Sequence, residues 1–418
     1  MDWFRAELEK LYELKEAARL GPGPEDDKEA TVLNRVVRWT PEGLEMEADP
    51  RQAEKLLRDL KLDGAGVKAA ASPGVRPTRE QLDQDAALER QKCTPYRAVV
   101  ARANYLASDR PELQFAAKEV CRWMSAPTDL SLAALKRLGR YVCEHKRLVY
   151  HYPWQTVSRV DTYSDTDWAG CLKTRKSTSG GCLMLGTHLL KSWASTQTSV
   201  SLSSGEAEFY GVVKASGVSL GYQALLRDVG INLPIRVWTD SSATIGICGR
   251  QGLGKLRHVD TQCLWIQQRV RDGSVELCKV KGEQNPADLF TKHLTSRERI
   301  HNFLDLFGCK YKGGRAAVAP VLRSGVGTSK GELLRFAEET TGTMLWQGRR
   351  FPCAAAGGDA EIPEALPAIE GLLPHLHSDW RDRFPQAVAC EELDEKDPSE
   401  EGGLEARGIQ LGKRGGTE

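Results

Sequence analysis

Between residues 94 and 150 apolar side chains recur at three- and four-residue spacings: Tyr96, Val99, Val100, Ala103 and Leu106, then Phe115, Val120, Trp123 and Met124, then Leu132, Leu135, Leu138 and Val142. That spacing predicts a run of amphipathic helices. From about Arg159 the pattern shortens to β-type runs at 160–164, 181–185, 189–194, 235–239 and 275–279. Helical periodicity returns at 204–229, 241–248, 260–272 and 286–294, the first of these preceded by cap-type serines. The order strand, strand, strand, helix, strand, helix, helix, strand, helix predicts an α/β fold: a mixed five-stranded sheet flanked by helices, its first three strands antiparallel.

The flanking regions carry less regular patterns. Residues 1–75 combine a helical opening, a break at Gly21-Pro-Gly-Pro, an alternating stretch at 31–39 and a helix at 50–62. Residues 65–77 are small and rich in Gly and Pro, as in a linker. Beyond about Tyr311 the chain is punctuated by Gly, Ala and Pro and carries the acidic run Glu391-Glu-Leu-Asp-Glu-Lys-Asp, so much of it is expected to be disordered. Four regions are therefore expected: 1–75, a mostly helical 76–157, the α/β domain at 158–294, and a poorly ordered tail with short helices at 295–418.

Composition narrows the function classes. The 418 residues are 40% hydrophobic and 28% charged with a net charge of +1, as in a globular protein. Apolar runs break well before the roughly 20 residues a bilayer span needs, so no membrane partner is expected. The first ten residues lack a secretory or transit pattern, which implies cytoplasmic or nuclear residence by default. The 11 Cys are scattered singly, without a paired spacing, and read as buried thiols rather than zinc ligands or disulfides.

Four carboxylates stand at predicted strand ends and helix starts: Asp165 after the first strand, Glu208 early in a long helix, Asp240 after the strand at 235–239, and Asp288 at the start of the last helix. Singly, each has an ordinary role as a cap or turn former. Together in one cleft they would repel strongly unless divalent cations neutralised them, and hard oxygen donors suit Mg²⁺ or Mn²⁺. Two such ions can activate water and stabilise a leaving oxygen at a phosphodiester. Glu206 competes with Glu208, because the two point about 200° apart on a helix and only one can face a cleft. Glu208 shares its face with Gly211, Val212 and Ala215, the positions suited to packing on a sheet, which favours it without deciding the matter.

A succession of motifs then points to a family. Tyr163-Ser-Asp-Thr-Asp-Trp-Ala-Gly, Arg175-Lys-Ser-Thr-Ser-Gly-Gly, Ser201-Leu-Ser-Ser-Gly-Glu-Ala-Glu-Phe, Thr239-Asp-Ser-Ser-Ala, Arg257-His-Val-Asp and Asn285-Pro-Ala-Asp-Leu-Phe-Thr-Lys resemble, in order, the ribonuclease H motifs of copia-type retrotransposon Pol polyproteins. The resemblance implies a ribonuclease H-like fold at 158–294 and two-metal hydrolysis of the RNA strand of an RNA–DNA hybrid. Its catalytic, metal-holding carboxylates fall on Asp165, Glu208, Asp240 and Asp288, with two Mg²⁺ ions as cofactor and Mn²⁺ as a substitute. The acid order Asp, Glu, Asp, Asp separates the chain from integrases, whose essential Glu comes last. Tyr96-Arg-Ala-Val-Val and Met124-Ser-Ala-Pro-Thr resemble the helical connection after a reverse-transcriptase palm, and 1–75 the palm end and thumb. The polymerase motif of an aromatic residue one position before paired Asp is missing, so DNA synthesis is expected from a separate reverse-transcriptase polypeptide.

Contacts to the hybrid are expected from Lys173, Arg175 and Lys176 in the loop after the first strand and from Lys255 and Arg257. His258 is read as structural, at a helix start, and Trp168 and Trp193 as core, since hybrids are recognised through backbone shape and 2′-hydroxyls. The alternative reading is a catalytically inactive, nucleic-acid-binding relic of such a polyprotein.

Overall fold

The alternating stretch at 31–39 belongs to an antiparallel meander. In the computed structural model, which describes residues 2–254, 256–259, 261–322, 343–346 and 349–352, helix α1 (Asp2–Glu9) precedes strands β1 (Glu29–Val32), β2 (Arg35–Thr40) and β3 (Gly43–Glu47), paired in succession. Helix α2 (Pro50–Asp59) starts where Asp49 accepts a hydrogen bond from the Arg51 N–H and Pro50 takes the first helical position, where a missing N–H costs nothing. Helices α3 (Arg79–Asp83), α4 (Arg90–Ala107), α5 (Gln114–Cys121) and α6 (Asp129–Glu144) follow. The predicted apolar faces converge: Tyr96, Val100, Ala103, Leu135, Leu138 and Val142 are buried with Leu56 and Leu57 of α2 in one cluster.

The helical pattern ends earlier than expected. Residues Leu148–Pro153 form strand β4, which lies between β3 and a later strand in the first sheet. The run Leu-Val-Tyr-His-Tyr is β-branched and aromatic, and such residues fit a pleated, half-buried surface better than a helix end.

The second sheet is the predicted one. Strands β5 (Val160–Asp167), β6 (Thr178–Leu185) and β7 (His188–Thr196) are antiparallel, and after the long helix α7 (Ser204–Asp228) strand β8 (Ile235–Thr239) lies parallel to β5. Helices α8 (Ser242–Gly249) and α9 (Trp265–Arg271) lead to β9 (Glu276–Lys279), giving the order β7-β6-β5-β8-β9. This is the mixed five-stranded sheet flanked by helices that the sequence resemblance implies. Ser203 and Ser241 cap α7 and α8 through their side-chain oxygens. Two expected helices are shorter: 260–272 begins as a 3₁₀ turn at Thr261–Leu264, and 286–294 is a 3₁₀ turn at Pro286–Phe290. Pro286 and the Asn285 side chain, which caps Ala287 N–H, set that tight turn.

The segment after 294 differs from the expected poorly ordered tail. Helix α10 (Arg297–Leu306), capped by Ser296, leads to β10 (Cys309–Tyr311), which pairs with β4. Ile300, Phe303, Leu304 and Phe307 are buried with Leu148 and Tyr150 of the first sheet and with Met184, Leu289 and Phe290 of the second-sheet region. That shared core explains why the segment is ordered: its apolar face has surface from both sheets to bury against. Residues 312–322 follow, with Ala316 and Ala319 buried against Val36 of β2; beyond them the expected tail lies outside the described residues apart from the strand pair Thr343–Trp346 and Arg349–Pro352. Among the described residues no helix is long and apolar enough to cross a membrane.

Candidate active site

Two close approaches assemble the carboxylates. A Cβ on Gly211 would lie 2.7 Å from Thr166 Oγ1 and 2.9 Å from Ser164 Oγ, so the absence of a side chain lets α7 sit hard against β5. One turn earlier on that face, Glu208 meets the strand, and its Oε1 accepts the Thr166 backbone N–H at 3.1 Å. On the other side of β5, Gly180 pairs in register with Asp165, and a Cβ there would be 2.5 Å from Thr291 Cγ2 and 2.8 Å from Phe290 Cβ. The turn carrying Asp288 therefore reaches β6 beside Asp165. Asn285, fully buried, ties that turn down by donating from Nδ2 to the Ser164 carbonyl at 2.9 Å.

Asp165 lies inside β5 rather than after it, Glu208 in the second turn of α7, and Asp240 just beyond β8. Each of these three offers a carboxylate oxygen, and those oxygens all fall within 4.8 Å of one another. At that separation two unit charges repel by roughly 3 kcal/mol at an effective dielectric constant of about 20. Burial, then repulsion from Asp165 and Asp240, pushes the Glu208 carboxyl up to about 9. Burial and Asp165 likewise raise Asp240. Glu208 Oε2 is buried and has no hydrogen-bond partner, so one hard acceptor atom of the cluster is left without a donor. Three clustered oxygen donors with one unmet acceptor fit a divalent cation of the Mg²⁺ or Mn²⁺ kind.

Asp288 stands apart from the other three. Lys292 Nζ lies 2.5 Å from its Oδ1 and Arg299 Nη2 lies 2.5 Å from its Oδ2, so both oxygens hold a cation of the chain itself. Lys292 also lies 3.3 Å from Asp165 Oδ2, and the Thr291 hydroxyl donates to that same oxygen. Burial, then the Asp165 charge, pushes Asp288 up to about 6 despite these partners. Burial pulls the Lys292 ammonium down, but Asp165 and Asp288 outweigh it and its pKa is raised.

Glu206 takes a different part. Its Oε2 accepts the Leu202 N–H at 3.0 Å and meets His258 Nε2 at 2.9 Å. Glu206 and His258 thus hold the start of α7 against the loop at 256–259, and His258 sits in a turn before the next helix rather than at its start.

Known proteins share part of this sequence. No family model matches the chain. It is 32% identical over 220 residues to the Retrovirus-related Pol polyprotein from transposon RE1 of Arabidopsis thaliana, covering 51% of this chain and 15% of that protein. To the corresponding polyprotein from transposon RE2 of the same plant it is 33% identical over 217 residues, covering 50% of this chain and 15% of the relative. Over about half of its length the chain is thus similar to one part of retrotransposon Pol polyproteins. It spans about 15% of the length of these relatives. Among solved structures, a ribonuclease H1 isolated from compost by a metagenomic approach covers 35% of this chain and 99% of its own, at 14% identity and a TM-score of 0.25, a likeness too slight to bear on function.

The described basic residues expected to meet nucleic acid lie on two loops, one after β5 and one before α9. Lys173 and Arg175 are exposed, Lys176 is half-buried, and Arg257 is exposed on the loop before α9. Lys173 lies over the Trp123 ring at 5.1 Å, while Lys255 is outside the described residues. Trp193 is buried as expected, but Trp168 is 46% exposed, its indole N–H donating to the Ser201 carbonyl at 3.0 Å. Sequence reasoning overlooked Thr291, Lys292 and Arg299. The first two lie inside the motif that contains Asp288, and Lys292 is four residues on, where a helix-like turn returns a side chain to the same face. Arg299 carries no motif signal at all.

Proposed function

We propose that residues 158–294 of this Pol polyprotein region act as a metal-dependent ribonuclease H that cuts the RNA strand of an RNA–DNA hybrid, with Mg²⁺ as cofactor and Mn²⁺ able to replace it. The reading rests above all on the cluster of Asp165, Glu208 and Asp240, whose mutual repulsion and open Glu208 oxygen call for a bound cation. When bound, divalent cations at such carboxylates supply an activated water and charge for the leaving oxygen, in the family pattern by way of two ions. The chain's own residues hold and orient. Asp165 projects from the central strand, Glu208 from the helix packed on it, and Asp240 from the turn just after the neighbouring parallel strand, so three separate segments fix the donor geometry. Asp288 completes the acidic set.

The hybrid would lie over this end of the sheet, with Lys173, Arg175, Lys176 and Arg257 meeting phosphates, a role the sequence also suggests for Lys255. Residues 1–75 and 76–157 are proposed as the palm end or thumb and the connection of a reverse transcriptase. A separate reverse-transcriptase polypeptide would then make the hybrid. The deciding assay is cleavage of a labelled RNA–DNA hybrid by the purified chain with Mg²⁺ and with chelator. Metal-dependent loss of the RNA strand alone is expected. A chain that binds hybrid but never cuts it would instead be the inactive, nucleic-acid-binding relic.

A further inference from the structure

The resemblance implies two ions, with Asp165 bridging them and Asp288 holding the second. The side chains around Asp288 argue otherwise. Its two oxygens are each held by a cation of the chain, Lys292 at 2.5 Å and Arg299 at 2.5 Å. Asp165 Oδ2, the oxygen turned toward Asp288, already receives the Thr291 hydroxyl and lies 3.3 Å from the same Lys292 ammonium. The space between Asp165 and Asp288, where a bridging second ion belongs, is therefore taken by one positively charged nitrogen. The remaining cluster, Asp165, Glu208 and Asp240, has the spacing for a single ion and includes a buried carboxylate oxygen, Glu208 Oε2, without a hydrogen-bond partner.

Other charges border the cluster: Lys279 acts on Asp240, and Asp167, further along β5, feels Asp165 and Lys292 as well as Arg76 and Lys118. Resting on the nuclease reading above, we propose that Lys292 occupies the second cation position, so that this site binds one divalent ion, with Asp288 and Arg299 positioning the ammonium.

The number of bound ions separates this from a merely structural lysine. Mn²⁺ binding to the full chain, measured by calorimetry and by electron paramagnetic resonance with and without a non-hydrolysable hybrid, is expected to give one ion per chain. Lys292→Gln, which keeps the stem and removes the charge, is expected to take up a second Mn²⁺ when hybrid is present, and its cleavage should change from first- to second-order dependence on metal. Lys292→Arg is expected to stay at one ion. Two ions in the unaltered chain would overturn the proposal, as would a folded Lys292→Gln chain that still binds only one. Should that variant fail to fold, the stoichiometry of the unaltered chain decides the matter alone. Two ions with metal-dependent cleavage would refute the single-ion site and leave the nuclease reading standing. One ion without cleavage would do the reverse.

Discussion

Replacing Glu208 by Gln keeps the size of the side chain and an oxygen that can accept the Thr166 N–H, while removing the one acid of the cluster with an open buried oxygen. Without a cation its carboxyl, pushed up to about 9 by burial and by Asp165 and Asp240 from an ordinary value of 4.5, holds a proton at neutral pH. The folded state thus binds that proton more tightly than the unfolded chain does. In chelator the resulting stability is fully present below pH 4.5 and is lost as the pH rises toward 9. At pH ~7.5 the loss amounts to at most about 4 kcal/mol, at roughly 1.4 kcal/mol for each pH unit above the unfolded value. Gln does not titrate and escapes it. With roughly 2 °C per kcal/mol for a chain of this size, Glu208→Gln should melt up to about 8 °C higher than the unaltered chain in chelator at that pH. The gap should close as the pH falls to 4.5, where both side chains are neutral. Saturating Mg²⁺ should raise the melting temperature of the unaltered chain, leave the variant nearly unmoved, and support hybrid cleavage only in the former. A variant no more stable than the unaltered chain in chelator, or a gap indifferent to pH, would refute the argument that this buried acid is held for a cation.

Asp165→Asn and Asp240→Asn should each abolish RNA-strand cleavage while far-ultraviolet circular dichroism is unchanged, and activity surviving in either, free of host nuclease, would remove that residue from the site. Glu206→Gln should keep most of the cleavage, because Glu206 serves His258 and the Leu202 N–H rather than the cluster; if it kills activity and Glu208→Gln spares it, the ligand has been misassigned. Gly180→Ala places a methyl group 2.5 Å from Thr291 Cγ2 and 2.9 Å from the Phe290 carbonyl carbon, and should destabilise the chain by about 1–3 kcal/mol as an overpacked core position does, seen in denaturant unfolding.

Much of the site was legible because its residues sit where local patterns are strong. The strand at Ile235–Thr239 alternates buried and half-buried positions, and Asp240 follows it directly. The face of α7 that carries Glu208 also carries Gly211, Val212 and Ala215, all buried against the sheet, so helix periodicity alone leaned toward the acid that faces Asp165. What stayed hidden depended on contacts distant in sequence. Glu206 is as buried as Glu208, and only the loop bearing His258, some fifty residues on, explains it. Strand β4 looked like a helix end because its partners, β3 and β10, lie about a hundred and a hundred and sixty residues away.

The same reasoning bears on where the domain ends. The motifs stop at Lys292, and the apolar pattern that follows is short, so a boundary at 294 was the natural reading. Yet Arg299, on α10, is one of the two cations that hold Asp288, and the helix is anchored by Ile300, Phe303, Leu304 and Phe307 in the core that joins both sheets. Those residues are nearly fully buried, and at about 25 cal/mol per Å² of apolar surface each contributes on the order of 2 kcal/mol. A guanidinium can balance a buried carboxylate only if its helix is held in place. The core shared with the upstream sheet provides that hold, so charge balance at the candidate site depends on packing outside the motif-bearing region.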